Sequence, residues 1–376
     1  MDKQEIIAAI ALTKLKGIGP AIAKTMLEET NSASEIFMHK KDLRSVFPDA
    51  TDYLLSLFAN TDDAMRSAEQ EMEFLEKKNV RALVLTDDDY PQRLKACDDA
   101  PTVLFYCGKA DLNRSHIINI IGTRKSTEYG KDVCNNFIAD LKRYYPDTLI
   151  VSGLAYGTDV NAHRAALENG MDTVGVLAHG LDIIYPYAHR KTAADMIHAG
   201  GGLLTEYTIK TTPEKMNFVR RNRIVAGMSD ACIVVESAER GGSLITANMA
   251  LDYGREVFAF PGRVYDSSSI GCNNLIKNHQ ATLITCAEDL INNMGWENPL
   301  EKCKNPKAIQ QELFVELSRE EQAIVNLLKN TEDKHINDIA AETGISYSNV
   351  STLLFELEMK GLVAAIGGSR YRAKSF

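Results

Sequence analysis

The stretch TLIVSGLAYGTDVNAHRAAL (148–167) passes from a short apolar run, through a loop containing Gly153 and Gly157, into a helix-length segment. An apolar run this short, ended by Ser152 and Gly153 and followed by a helical pattern, reads as one strand–helix unit of a parallel sheet. The unit recurs on both sides. IINIIG (117–122), TVGVLA (173–178), GLLTE (202–206), ACIVVES (231–237), EVFAFPG (256–262) and ATLIT (281–285) are further β-rich runs, each ending in Gly, Ser or a polar loop. Helix-length segments such as STEYGKDVCNNFIADLKRYY (126–145) and SLITANMALDYG (243–254) lie between them. Apolar runs alternating with helices predict an α/β domain, doubly wound around a mostly parallel sheet buried on both faces.

Outside this region the pattern changes. Residues 1–80 read as short helices: QEIIAAIALTKL, PAIAKTMLEE, SASEIFM and the longer TDDAMRSAEQEMEFLEKKN, with apolar residues three and four apart. LKGIGP (15–20) fits a helix-hairpin-helix turn, whose amides can meet phosphate, and equally an ordinary glycine turn. The α/β pattern fills 81–292, and 293–317 reads as a linker. Residues 318–376 give helices at REEQAIVNLLKN, HINDIAAETG and SYSNVSTLLFELEMKG, then LVAAIGGSRYRA as two strands turned by Gly367 and Gly368. That order is winged-helix, related to helix-turn-helix.

The chain has 376 residues and a formal net charge of −9. It lacks the apolar run of about 18 residues that a spanning helix needs, so no membrane partner is expected. The N-terminus mixes acids and bases and reads as a helix, not a signal peptide, which predicts a cytoplasmic protein. Seven cysteines, at 97, 107, 134, 232, 272, 286 and 303, match neither a zinc site nor a disulfide framework and read as buried thiols. No metal site is expected.

In a doubly wound sheet, ligands bind beyond the carboxyl ends of the strands. The loops expected there are GTRKST (122–127), SGLAYGTD (152–159), AHGLD (178–182), AERGGSLITA (238–247) and PGRVYDSSSIGCNN (261–274). Each brings glycine, hydroxyl or amide groups to a helix start, where free N–H groups favour anions. FVRRNRIVAGMSD (218–230) begins the helix before ACIVVES, and its Arg220, Arg221 and Arg223 can point at the same edge. Arg124 and Lys277 add cations at the first and last loops, and guanidinium forks suit phosphate. An extended phosphate-bearing ligand is the expectation; the competing reading pairs these arginines with Glu206 and Glu236.

No G-x-G-x-x-G follows a strand, so no dinucleotide cofactor is expected, and no P-loop, H-E-x-x-H or G-x-S-x-G is present. His163 and His189 lie near carboxylates but no nucleophile accompanies them, so no catalytic residue is assigned.

These residues resemble the DNA-processing protein A (DprA/Smf) family. The likeness rests on IGTRKST…YG, SGLAYGTDVNAHRAAL, GVLAHGLDIIYP, LLTEY, FVRRNRIVAGMSD, ERGGSLITANMALDYGREVFAFPG and SSIGCNNLIKNHQATLI, preceded by DDDYPQRL…DDAPTVLFYCG. It implies a Rossmann-like domain with a sterile-alpha-motif-like or helix-hairpin-helix unit before it and a winged helix after it. It also implies a homodimeric, non-enzymatic protein that binds single-stranded DNA and loads RecA recombinase during natural transformation. Carried onto this chain, the DNA site is Arg124, Ser152, Gly153, Arg221, Arg223, Gly241, Gly242, Ser243, Thr246, Asn274 and Lys277. Tyr156 stands where the family usually has Arg, exchanging a cation for a ring; Val219 replaces a usual Pro, and NHQA replaces DGA.

Two other readings compete. The fold and loops also resemble lysine decarboxylase-like phosphoribohydrolases, which cleave nucleotide N-glycosidic bonds with a Glu of P-G-G-x-G-T-x-x-E; ERGGSLITANMA has Ala247 and Asn248 and no following Glu. The other assigns DNA to the winged helix, whose recognition helix carries Glu356, Glu358 and only Lys360, with Arg370, Arg372 and Lys374 in the wing. An acidic helix suits phosphate poorly.

Overall fold

A computed structural model describes residues 2–297, 317–329, 331, 333–366 and 368–374. Most of the expected linker, together with Cys303 and Gly367, lies outside the described residues.

All seven apolar runs form strands: β3 (Ile117–Ile121), β4 (Leu149–Ser152), β5 (Thr173–Val176), β6 (Gly202–Thr205), β7 (Ala231–Val234), β8 (Glu256–Ala259) and β9 (Thr282–Leu283). They pair in parallel in the order β6-β5-β4-β3-β7-β8-β9. Alternate side chains serve opposite faces, as strand geometry requires. Ile117, Ile121, Val151, Val176 and Val234 join the core on one face. Ile118, Ile120, Ile150, Ile233 and Phe258 join the core on the other. The second face is covered by the helices Glu128–Tyr144 and Thr158–Glu168, which bury Phe137, Ile138, Leu141, Ala162 and Ala166 against it. The first face is covered by Lys215–Gly227, Gly242–Asp252 and Ile270–Lys277.

Two further strands of this sheet lie outside the seven apolar runs. Before β3, β1 (Arg81–Val84) and β2 (Val103–Gly108) extend the sheet, β1 antiparallel to β2 and β2 antiparallel to β6. VLFYCG, although apolar, is joined to RALV by a long irregular segment, so no strand–helix alternation marks it. Chain order steps outward from β3 to β6, then returns to lay β7 on the other side of β3. The carboxyl ends of β3 and β7 are therefore the switch point, the place where such sheets open a crevice.

The N-terminal helices are Lys3–Lys14, Pro20–Thr30, Ala33–Met38, Asp52–Leu57 and Asp62–Lys78, with a short 3-10 turn at Leu43–Ser45. Their apolar faces are continuous with the first core. Polar contacts reinforce the junction: Lys24 Nζ donates to the carbonyls of Lys95 and Cys97 at 2.9 Å each, and Glu71 accepts from the Ile209 amide at 2.9 Å. At the other end, helices Arg319–Lys329, Ile336–Thr343 and Tyr347–Met359 enclose Ile324, Leu328, Ile339, Val350 and Leu354. The strands β11 (Val363–Ile366) and β12 (Arg370–Ala373) follow, and β10 (Lys334–His335) completes a three-stranded wing sheet with them. Cys97, Cys134, Cys232 and Cys272 are buried thiols; Cys107 and Cys286 are half-buried and also free.

Candidate nucleic-acid interface

One carboxylate ties the switch-point loops together. Glu236, buried at the end of β7, accepts from the Thr127 amide at 2.9 Å, the Thr127 hydroxyl at 2.7 Å and the Ser126 hydroxyl at 3.2 Å. Its own carbonyl accepts from the Thr123 amide at 2.7 Å, and the Thr123 carbonyl accepts from the Thr158 amide at 3.1 Å. With its acceptors consumed inside the protein, Glu236 does not neutralise the arginines. It fixes GTRKST in place.

Between these loops and the start of the helix Lys215–Gly227 lies a cavity of about 530 Å³. Gly122, Gly153, Gly241 and Gly242 lend it backbone, and Ser243 and Thr246 line it from the helix Gly242–Asp252. That helix has Gly241 as its N-cap, with no side chain to satisfy the first-turn N–H groups, which leaves an anion-attracting end at the cavity wall. Three exposed cations also line it: Arg124, Lys215 and Arg240. Among the described residues none of the three has a carboxylate within 4 Å. Two rings complete the lining, Tyr156, which is 50% exposed, and Phe218, over which the Arg124 guanidinium sits at 5.4 Å. Tyr156 is held edge-on by His189 with ring centroids 4.9 Å apart.

Beneath the floor sits Arg221, only 3% exposed. Its Nη1 donates to the Gly153 carbonyl at 2.6 Å and also to the Val176 carbonyl. Asp159, buried beside it, is the counter-charge. Burial pushes the Asp159 carboxyl pKa up, and Arg221 pulls it back towards the ionised form. A Cβ on Gly153 would stand 2.5 Å from Arg221 Nη1 and 2.5 Å from Asp159 Oδ2, so only glycine lets this pair pack under the loop.

The sequence profile of the DNA recombination-mediator protein A family matches residues 81–295, and that of the DprA winged helix domain matches 312–369. The chain is 34% identical over 317 residues to Protein Smf of Escherichia coli, covering 82% of each. The chain belongs to the DNA recombination-mediator protein A family. It is also 40% identical over 207 residues to the DNA processing protein DprA of Streptococcus pneumoniae, across 55% of this chain and 72% of that one. The crystal structure of the S. pneumoniae DprA superposes with a TM-score of 0.57 at 31% identity, covering 73% of this chain and 98% of the other. A Helicobacter pylori DNA processing protein A, whose structure is described as giving insight into its single-stranded DNA binding mode, superposes with a TM-score of 0.51 at 30% identity. It covers 57% of this chain and 94% of that one. Curated members of the DprA family carry the name of DNA processing proteins.

Against the positions carried over from the DprA family, the cavity gathers Arg124, Gly153, Arg221, Gly241, Gly242, Ser243 and Thr246. The remaining four lie outside the lining of this cavity. Ser152 is fully buried and its hydroxyl donates to the Ile120 carbonyl at 2.6 Å, so it joins two strands. Arg223 turns away from the cavity, donating from Nη2 to Glu206 with Asp99 at 3.9 Å from Nη1. The Glu206 pairing set out as the competing reading therefore holds for Arg223. Asn274 and Lys277 are exposed on the helix Ile270–Lys277, outside the cavity lining. Arg221 is in the lining but buried, with its Nη1 spent on backbone carbonyls, so it positions the floor.

Lys215, Phe218 and Arg240 are cavity residues that motif reading passed over. Two lie within quoted segments, and all three sit next to a helix start, which is the signal that could have found them. His163 is not available as a base. His163 is fully buried, with Nδ1 2.6 Å from the Thr173 hydroxyl, and burial pushes its pKa down to about 3. His189 holds the Leu154 carbonyl through Nδ1 at 2.9 Å. In the wing, Arg370 pairs with Asp333 at 2.5 Å and Arg372 with Glu297 at 3.4 Å, which leaves the DprA winged helix little free cationic surface. Among the described residues no helix is long and apolar enough to cross a membrane, and no His, Cys, Asp or Glu cluster is arranged for a metal.

Proposed function

We propose that this chain binds single-stranded DNA across the switch-point cavity, shelters the incoming strand and loads RecA recombinase onto it during natural transformation, acting in the cytoplasm as a homodimer. One observation carries the reading: three exposed cations, a helix start capped by glycine and two accessible rings converge on one cavity. Phosphates fit the cations and amides, and bases fit the rings, each stacked base contributing about 1–3 kcal/mol whatever its identity. The strand contacts are assigned to Arg124, Lys215 and Arg240, to the backbone at Gly153, Gly241 and Gly242, to Ser243 and Thr246, and to Tyr156 and Phe218. The H. pylori relative's described single-stranded DNA binding supports the assignment. The working division of the chain is a helical unit at 1–80, the Rossmann-like unit at 81–292, a linker at 293–317 and the winged helix at 318–376.

A nucleotide N-glycosidic hydrolase needs a carboxylate free to assist bond cleavage. Asp159, the carboxylate in the cavity lining, is buried, lies in the field of Arg221 and accepts from the Ala155 amide at 3.4 Å, which speaks against that chemistry.

Fluorescence anisotropy of a labelled oligo-dT over a salt series tests the binding. Each neutralised phosphate contributes about 0.7 to the slope of log K against log salt, so three cations give a slope of about −2. A flat salt dependence contradicts the proposal. RecA filament growth on a strand precoated with single-strand-binding protein, with and without this chain, tests loading; light scattering tests the dimer.

A further inference from the structure

The helix Lys215–Gly227 has a second cleft on its other side, and Val219 lines both. This cleft, about 930 Å³, runs between the LKGIGP turn of the N-terminal helices and the segment that follows β6. One wall is the turn itself: Gly17 at φ +104° reverses the chain, and Gly19 caps the eleven-residue helix Pro20–Thr30 without a side-chain hydrogen bond. Lys16 on the turn and Arg220 on the facing helix are both exposed, and among the described residues neither has a carboxylate within 4 Å.

At its base lie Arg223 and Glu206. Among the described residues Arg223, 7% exposed, makes no hydrogen bond from Nη1, which has Asp99 at 3.9 Å, and Glu206 Oε1 is buried without a hydrogen-bond partner. Arg223 Nη2 donates to Glu206 Oε2, and the Tyr253 hydroxyl donates to Asp99 at 2.6 Å. A buried donor and a buried acceptor left without hydrogen bonds cost free energy unless a ligand meets both. A guanidinium N–H next to a carboxylate oxygen matches the polar edge of a nucleobase, which offers an acceptor beside a donor.

We propose that this second cleft holds a further nucleotide of the same DNA strand, its base edge against Arg223 and Glu206 and its phosphate at Lys16, Arg220 and the Gly17–Pro20 turn. The inference rests on the single-strand reading of the first cavity. The strand would cross the ridge at Val219, a distance of about one helix diameter, roughly 10 Å. The N-terminal helices thereby become part of the binding surface, and the packing of Lys24 on the Lys95 and Cys97 carbonyls holds them in register.

The test compares oligo-dT of increasing length on the full chain and on two variants, with circular dichroism confirming folding. In the parent, affinity climbs as the strand grows long enough to reach the second cleft. In the double variant Lys16→Glu/Arg220→Glu, short strands bind as in the parent, and the gain from length, about fivefold or more for one further stacked or bonded nucleotide, disappears. Survival of that gain overturns the inference, and so does an equal loss at every length, which would mark a general charge effect. Arg124→Glu serves the other question: binding unaffected at all lengths would overturn the single-strand reading of the first cavity itself.

Discussion

Arg221 donates from Nη1 to the Gly153 carbonyl at 2.6 Å, and this contact holds the floor of the cavity against the loop after β4. Three arginines in four positions look like one cationic patch, but a helix separates successive residues by about 100°. Arg221 therefore enters the floor, Arg223 meets Glu206 across the opposite cleft, and Arg220 faces solvent.

Arg221→Ala is expected to lose stability as well as binding. It leaves Asp159 buried without its counter-charge, a loss on the order of 3–5 kcal/mol. Urea denaturation reads this directly, and pairing the change with Asp159→Asn should recover part of it. Unchanged stability would mean that the pair is not structural.

Arg124→Ala separates binding from folding. The side chain is exposed, with no carboxylate within 4 Å among the described residues, so stability should stay within about 0.5 kcal/mol of the parent. The slope of log K against log salt should fall by about 0.7. A salt titration beside a thermal melt checks both.

Gly242→Glu should push the two properties in opposite directions. A Cβ there meets nothing within 4 Å, and a carboxylate in the first turn of a helix is favourable by about 0.3–1 kcal/mol. The same carboxylate faces the cavity and repels phosphate. Stability equal to or above the parent, with DNA affinity lost, is the expected pattern.

Glu71 couples the N-terminal helices to pH. Burial raises its pKa from 4.5 to about 7, while the Ile209 amide and Lys14 oppose the shift. Between those values the folded chain keeps a proton that the unfolded chain has released. Its contribution to stability is thus present below about pH 4.5 and lost as pH rises towards 7. Glu71→Gln, neutral throughout, should exceed the parent at pH 8 by on the order of 1–3 kcal/mol, with the gap closing towards pH 5. Denaturant midpoints at the two pH values decide it.

Much of the sheet was legible because strands covered on both faces need continuous apolar runs, as Ala231–Val234 has. β1 and β2 were not, because antiparallel strands joined by an irregular segment carry no alternation with helices. The loops at the switch point announced themselves through glycine. What the string of residues could not show was direction: Ser152 points down into the sheet, and Arg223 lies around the helix from Arg221. Lys215 and Arg240 become cavity residues only once the loops after β3 and β7 are drawn together by Glu236.

Photocrosslinking tests the central claim most directly. A strand of oligo-dT carrying 5-iodouracil is irradiated with the full chain and the attached peptides are mapped. The account predicts attachment at Tyr156 and Phe218, abolished when both are changed to Ala. Crosslinks confined to residues 319–374 of the winged helix would contradict it.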